Sequence, residues 1–226
     1  MEKVTYKPIL FNTPMVQAID EGRKTHTRRL VKGFIEGQIP HSGHPHPDLF
    51  DLGMWEFLCG GQVYGGPADF YVNIKAPYKT GDILWVRETW TEDGQNFYYR
   101  ADFESDWLDP CETLSGGYPI YCSYHPGCEG CMREKQRIHW RPSIHMPKEA
   151  ARIFLKVVNV RAHRLIEISR EDAIKEGANP AAAVENFIAI WNDTVKKEDL
   201  PRSGWDANPW VWVIEFERIE KPEGWK

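Results

Sequence analysis

The chain of 226 residues is long enough for one domain with insertions or for two small domains, and length alone favours one. Its hydrophobic content of 42% and aromatic content of 13% suffice for a folded core. A formal net charge of −5 argues against a protein that coats nucleic acid by bulk electrostatics, whereas a basic groove on an acidic body is compatible with it.

Neither a membrane span nor a secretory signal is expected. No apolar run is long enough to cross a bilayer, and residues 1–6 lack the apolar stretch of a signal peptide. We therefore expect a cytoplasmic protein that makes no contact with a membrane.

The most informative segment is a short helix followed by a basic stretch. A strand at 9–12 leads into a helix that Thr13 can cap, with Pro14 at its first position and Gly22 ending it in a left-handed conformation. Residues 23–29 then supply four cations, two threonines and a histidine. So many donors predict a loop that meets an anion or activates a hydroxyl, and the alternative is a solvated charged turn.

The middle of the chain alternates irregular and regular segments. Residues 33–75, rich in Gly, Pro and His, predict a loop-rich insertion, and residues 102–140 predict a second, Cys-rich one. Between them, a turn at 79–82 leads into a strand at 83–88, with which residues 97–101 can pair.

The C-terminal part contains the most regular patterns. We expect a single helical turn at 147–151, a long strand at 152–165, helices at 169–175 and 180–195, and a closing strand at 210–216 that alternates Trp and Val. Strands dominate and no regular βαβ alternation is present, so the pattern favours an α+β or small-barrel fold over a doubly wound sheet.

Three segments in order resemble the ASCH domain family. Residues 22–29, Gly-Arg-Lys-Thr-His-Thr-Arg-Arg, resemble its signature loop, and residues 79–86 and 213–216 resemble its turn-and-strand and its closing strand. The stretch 140–147, Trp-Arg-Pro-Ser-Ile-His-Met-Pro, resembles the longer members found in bacteriophage and prophage genomes. The match covers most of the chain outside the two insertions.

The resemblance implies a single domain over residues 1–226 that folds as a PUA-like small β-barrel with flanking helices and two irregular insertions. It also implies RNA or a modified nucleoside as the ligand, in a cleft beside residues 22–29, in a bacterial or phage-infected cell. No organic cofactor is expected. Because fold-level likeness does not fix an activity, a non-catalytic RNA-binding or regulatory module and a ribonuclease stay open beside a hydrolase.

One branch of the family is a bacterial amidohydrolase that removes the acetyl group of N(4)-acetylcytidine, and its Lys-x-x-Thr pair and glutamate are matched by Lys24, Thr27 and Glu176. Thr27 would be the nucleophile, Lys24 the base if burial and nearby arginines lower its pKa, and Glu176 would orient Lys24 or protonate the leaving nitrogen. In a straight strand Lys24 and Thr27 would point to opposite faces, so this chemistry requires a turn between them. The alternative makes them a phosphate contact, a turn hydroxyl and a salt-bridge partner.

Four further residues are candidates for ligand binding: Arg23, Arg28, Arg29 and Glu88. Arg29 is assigned to a phosphate or carbonyl oxygen because a guanidinium can donate two parallel hydrogen bonds. Arg28 either shares that role or faces solvent. Glu88 either contacts a base edge from the cleft rim or is a solvated strand end.

Four cysteines cluster in the second insertion: Cys111, Cys122, Cys128 and Cys131. Cys128 and Cys131 have the two-residue spacing of a zinc knuckle, whereas the gap between Cys111 and Cys122 is wider than usual. In a reducing compartment four such thiols favour a structural zinc over a disulfide, and unligated thiols are the alternative.

Overall fold

A computed structural model describes residues 4–34, 38–63, 66–92, 94–103, 107–108 and 136–225. Its strands are β1 (Tyr6–Leu10), β2 (His26–Leu30), β3 (Ile39–Pro45), β4 (Met54–Val63), β5 (Gly66–Lys75), β6 (Ile83–Arg87), β7 (Trp90–Glu92), β8 (Phe97–Tyr99), β9 (Trp107–Leu108), β10 (Gln136–Arg137), β11 (Phe154–Arg164) and β12 (Trp210–Ile219). The α-helices are α1 (Thr13–Asp20), α2 (Arg170–Lys175), α3 (Ala183–Thr194) and α4 (Leu200–Ser203).

The fold is mixed α+β, as the sequence predicts. Its packing forms two compact units, one comprising Met1–Lys7, Ala18–Trp85 and Ile153–Pro222, the other Pro8–Gln17, Val86–Arg152 and Glu223–Lys226. The strands of the described residues form four separate sheets, and no closed barrel is found among them. Within the same residues, no helix combines the length and apolar character needed to span a membrane.

The largest sheet has five strands in the order β1-β6-β11-β12-β2, and β12 pairs antiparallel with both β11 and β2. Both faces of β12 are covered. Val211 and Val213 pack in one cluster with Phe187 of α3, while Trp212 makes an edge contact with Trp55 of β4 at 5.5 Å between ring centroids. Such double coverage explains why the Trp/Val alternation of β12 is buried without a polar face.

The prediction of irregular backbone over residues 33–75 is wrong for most of that range. There, β3, β4 and β5 form an antiparallel three-stranded sheet. Glycines hid the strand pattern because some of them serve close packing: a Cβ on Gly43 would lie 2.5 Å from the ring of Phe57. Whether the segment is an insertion in a family sense stays a prediction.

Two smaller expectations are also wrong. Asn12, not Thr13, caps α1, because its Oδ1 accepts from the backbone N–H of Met15 at 3.1 Å. The strand at Phe97–Tyr99 pairs with β7 and not with the strand at 83–88. Most of the Cys-rich segment 102–140 lies outside the described residues.

The strand expected at 9–12 lies earlier, at Tyr6–Leu10, and most of the other elements confirm the sequence patterns. A helical turn at Lys148–Ala150 precedes β11, and Ser169 caps α2 by accepting from the N–H of Asp172 at 3.0 Å. The helix expected over 180–195 is present as a 3-10 turn at Pro180–Ala182 that continues into α3. Capping residues and β-branched runs were sufficient signals here, since both act locally.

Candidate functional site

The basic segment at 23–29 is only partly a loop. Gly22 ends α1 with φ 74°, and the N–H groups of Arg23 and Lys24 both donate to Ala18 O at 2.9 Å. From His26 onward the chain is strand β2, at the edge of the five-stranded sheet. The expected turn therefore lies before His26, and the other residues of the segment follow strand alternation.

Lys24 and Glu176 are brought together at the C-terminal end of α2. The Lys24 Nζ donates to Glu176 Oε2 at 3.0 Å, to Glu176 O at 2.6 Å and to His26 O at 2.7 Å. Both side chains are covered, with Lys24 3% and Glu176 6% exposed. A cation at a helix C-terminus also satisfies carbonyls that have no partner within the helix. Lys24 therefore stabilises the end of α2 in addition to pairing with the carboxylate of Glu176.

Arg28 binds the other oxygen of Glu176. Its Nη1 donates to Glu176 Oε1 and its Nη2 to Asp172 Oδ2, both at 2.9 Å, while its guanidinium lies 5.7 Å from the ring centre of Phe187. Arg28 is buried, so the expectation that it faces solvent is wrong. Asp172 in turn accepts from Arg161 at 3.3 Å, which extends the network across the sheet.

The cations of this network stabilise the ionised form of its carboxylates. Burial alone would raise the pKa of Glu176, but Lys24 and Arg28 outweigh it and leave that pKa below its ordinary value. Asp172 behaves in the same way, because Arg28 and Arg161 outweigh the effect of its burial and lower its pKa. Lys24 is a cation, so burial lowers its pKa, and the neighbouring Glu176 offsets only part of this effect.

Thr27 lies on a different face of β2 from Arg28. It pairs in register with Ile214 of β12, whereas Arg28 pairs with Val213, and neighbouring strand residues point to opposite faces. Thr27 is buried, and no hydrogen bond joins its hydroxyl to Lys24 or Glu176 within the described part of the chain. The structure thus unites two of the three residues matched to the amidohydrolase pattern.

His26 is a buried titratable group beside the same network. Its Nδ1 lies 3.0 Å from Thr25 Oγ1, and its Nε2 lies 3.6 Å from Glu215 Oε1. Burial lowers the pKa of His26 to about 4, against the opposing effect of Asp172. The imidazole is consequently neutral at pH 7.

Two sequence candidates make contacts of other kinds. Arg23 is exposed, forms an ion pair with Glu21 and donates to Gly177 O at 3.2 Å. Glu88, in the second unit, is 1% exposed and accepts from Nε and Nη2 of Arg152, each at 2.9 Å. Glu88 is therefore a buried ion-pair partner and not a solvated strand end.

A cleft of about 710 Å³ opens beside β2 in the first unit. We call it the basic cleft; its charged lining residues are Arg28, Arg29, Lys32, Arg164, Lys196, Arg202 and Asp199. Aromatic walls are supplied by Phe34, Trp191 and Trp210. Arg28 is paired with Glu176 and Asp172, so the other five cations set the charge of the cleft against one carboxylate. They make it a positive concavity on a chain of negative net charge.

Several of these cations are positioned to contact an anionic ligand. Arg164 lies 4.9 Å from the ring centre of Trp210 and donates to Asn208 O at 3.0 Å and Pro40 O at 2.6 Å. Lys32 and Arg202 are exposed and form no ion pair with another described residue. Their charges are thus available to an anionic ligand.

Sequence reasoning missed most of the basic cleft. Lys196 and Arg202 flank acidic residues in the sequence, so their segment carries no charge run, and Arg164 is an ordinary strand-end residue. Only the fold gathers them beside Arg29. The signal that could have pointed to them was the basic end of β2, which they surround.

The predicted zinc ligands all lie outside the described residues: Cys111, Cys122, Cys128 and Cys131. Inside the described ranges no group of three metal-ligating side chains occurs, and Cys59 is a buried free thiol. The structural zinc therefore stays a prediction.

Comparison with known proteins adds no relative: no family model, no curated protein and no solved structure matches the chain. The resemblance to ASCH domains accordingly rests on the motifs at 22–29, 79–86, 140–147 and 213–216.

Proposed function

We propose that this protein binds RNA or a modified nucleoside in the basic cleft. The observation that carries the proposal is a concave site whose lining holds five cations besides the ion-paired Arg28 and one carboxylate, in a chain whose net charge is −5. Phosphodiester ligands are attracted by such a site and release counterions on binding. An acidic body around it limits nonspecific attachment elsewhere.

The ASCH resemblance points to the same place, since it implies a nucleic-acid ligand beside residues 22–29. The PUA-like β-barrel belongs to this proposal as the fold that the family would share. Trp191 and Trp210 are buried in the wall of the cleft, whereas Phe34 is partly exposed. An accessible aromatic ring beside cations suits the bases of a single strand better than the outer surface of a duplex. A ligand with unpaired bases is therefore the one that we expect.

Neutralising one cleft cation should weaken RNA binding. We expect Arg202→Gln to raise the Kd for a labelled single-stranded RNA octamer about fivefold, and the slope of log Kd against log salt to fall by roughly 0.7. Fluorescence anisotropy over a salt series measures both. Lys221→Gln, an exposed site outside the cleft, is the matched control; an equal effect there would remove the cleft from the proposal.

A second candidate function is amide hydrolysis, favoured by the 3.0 Å contact between Lys24 and Glu176. In the proposed reaction the Thr27 hydroxyl attacks the acetyl carbonyl of N(4)-acetylcytidine while Lys24, in its uncharged form, accepts its proton. Lys24 must first give up one of its three donated hydrogen bonds and approach the Thr27 hydroxyl, to which no hydrogen bond joins it in the described part of the chain. The C–N bond then breaks, the leaving amine takes that proton, and water hydrolyses the acyl-threonine ester to acetate. Glu176 holds Lys24 throughout.

Acetate release from N(4)-acetylcytidine tests this candidate. If it is correct, Lys24→Met lowers kcat at least about a hundredfold, because proton transfer is lost, and Thr27→Val does the same. Thermal unfolding of each variant checks that the fold persists. Turnover lost in Lys24→Met but kept in Thr27→Val would make water the nucleophile, and no turnover by the unmodified protein would reject hydrolysis and leave the binding proposal intact.

A further inference from the structure

The cations of the basic cleft attract a phosphate backbone, and a contact to a phosphate carries no information about the base. Arg and Lys contacts to phosphates fix the position of a nucleic acid, whereas sequence is read by groups that complement base edges. Selectivity within the cleft must therefore come from a group that reaches a base edge.

Asp199 is the one carboxylate among the charged residues that line the cleft. It is exposed and directly precedes α4, and its backbone N–H donates to Lys196 O at 2.9 Å. Its side chain makes no capping hydrogen bond to α4. Among the residues that the structure describes it also forms no ion pair, although Lys196 and Arg202 lie three residues away on either side.

A carboxylate in such a position works against binding of a bare phosphate, because like charges repel. At neutral pH it accepts hydrogen bonds and donates none, so it complements a group with N–H donors. Of the four bases, guanine alone presents two adjacent donors, N1–H and N2–H, on the edge exposed in a single strand. Its O6 can meanwhile accept from a neighbouring cation such as Lys196 or Arg202.

Uracil fits the same position poorly. Its single N3–H donor lies between two carbonyl oxygens, which the carboxylate repels. Cytosine and adenine offer one exocyclic amine each, next to a ring nitrogen that only accepts. A base that does not match the carboxylate forgoes the two hydrogen bonds, and uracil is repelled through its carbonyl oxygens as well.

We propose that Asp199 makes the basic cleft selective for guanine in single-stranded RNA. The inference rests on the proposed binding function and specifies the base that the cleft takes. It assigns affinity to the surrounding cations and selectivity to this carboxylate.

The experiment uses RNA octamers of uridine in which one central position is G, C, A or U, with anisotropy as the readout. The unmodified protein should bind the G-containing octamer about tenfold tighter than the all-U octamer, the gain typical of one bidentate contact. In Asp199→Asn the preference should shrink to about twofold, while the all-U octamer binds more tightly than before because a repulsive charge is gone. Asp193→Asn, an exposed acid outside the cleft, is the matched control and should change neither value.

These opposite changes in one variant exclude general damage to the site as their cause. Binding that depends on Arg202 but shows no guanine preference, or a preference that persists in Asp199→Asn, would overturn the inference and leave the binding function standing. If no octamer binds, or if Arg202→Gln has no effect on binding, the proposed function fails and the inference fails with it.

Discussion

Replacing Glu176 with alanine is expected to lower the free energy of unfolding by about 3–5 kcal/mol. The substitution leaves Lys24 and Arg28 buried with their common carboxylate gone. Removal of one partner from a buried ion pair costs far more than the pair itself contributes, because the remaining charges keep their desolvation penalty. The two cations would also repel each other across the vacated space.

Urea unfolding at pH 7 measures this effect, and an exposed pair supplies the control. Glu217 lies 3.5 Å from Lys156, both side chains being more than half exposed, so Glu217→Ala should cost less than about 1 kcal/mol. Glu176→Gln keeps an acceptor for one cation, so its loss in the free energy of unfolding should lie between those of Glu176→Ala and Glu217→Ala. If Glu176→Ala and Glu217→Ala cost the same, the network does not stabilise the fold in the way that its burial indicates.

The contact between Lys24 and Glu176 is the part of the site that sequence predicted best. Lys24 follows a helix whose end is marked by Gly22, and Glu176 follows a helix whose start is marked by Ser169. Both helix ends are local signals, and the family resemblance supplied the pairing. The geometry then added what local patterns lack, namely that Arg28 shares the carboxylate.

Which cation of β2 is buried could not be predicted, because strand register decides it. A shift of one residue exchanges the two faces of a strand, so Arg28 and Arg29 would trade environments. The sequence contains no mark that fixes where β2 begins. Register with β12, where Arg28 pairs with Val213, settles the matter only in the folded chain.

The sheet of β3, β4 and β5 escaped prediction for a different reason. Glycine and proline are turn residues in most contexts, and here Gly43 and Pro40 lie within or beside paired strands. Their positions are explained by tertiary contacts, such as the ring of Phe57 against Gly43. The basic cleft is tertiary in the same sense, since its cations come from segments far apart in the chain.

Acidification is expected to destabilise the protein between pH 6.5 and pH 4, and His26 is the reason. In the folded chain burial lowers the pKa of His26 to about 4, whereas in the unfolded chain it stays near the ordinary 6.5. As the pH falls through this window, the unfolded state takes up a proton that the folded state refuses. Stability is thus fully present well above pH 6.5 and declines by at most about 3 kcal/mol by pH 4, the full shift being reduced by solvent screening of the imidazole.

The variant His26→Gln separates this contribution from that of the carboxylates, because glutamine does not titrate. Its free energy of unfolding should fall less from pH 6.5 to 4.5 in urea experiments than that of the unmodified protein and of the control His145→Gln, at an exposed histidine. The loss that remains in His26→Gln comes from His163, whose pKa burial also lowers. Below pH 4 all three should weaken together, since Glu176 and Asp172 have folded pKa values under their ordinary ones and lose their ion pairs on protonation. A His26→Gln variant that loses as much stability between pH 6.5 and 4.5 as the unmodified protein would assign the acid sensitivity to another group. The two windows therefore distinguish the buried imidazole from the buried carboxylates beside it.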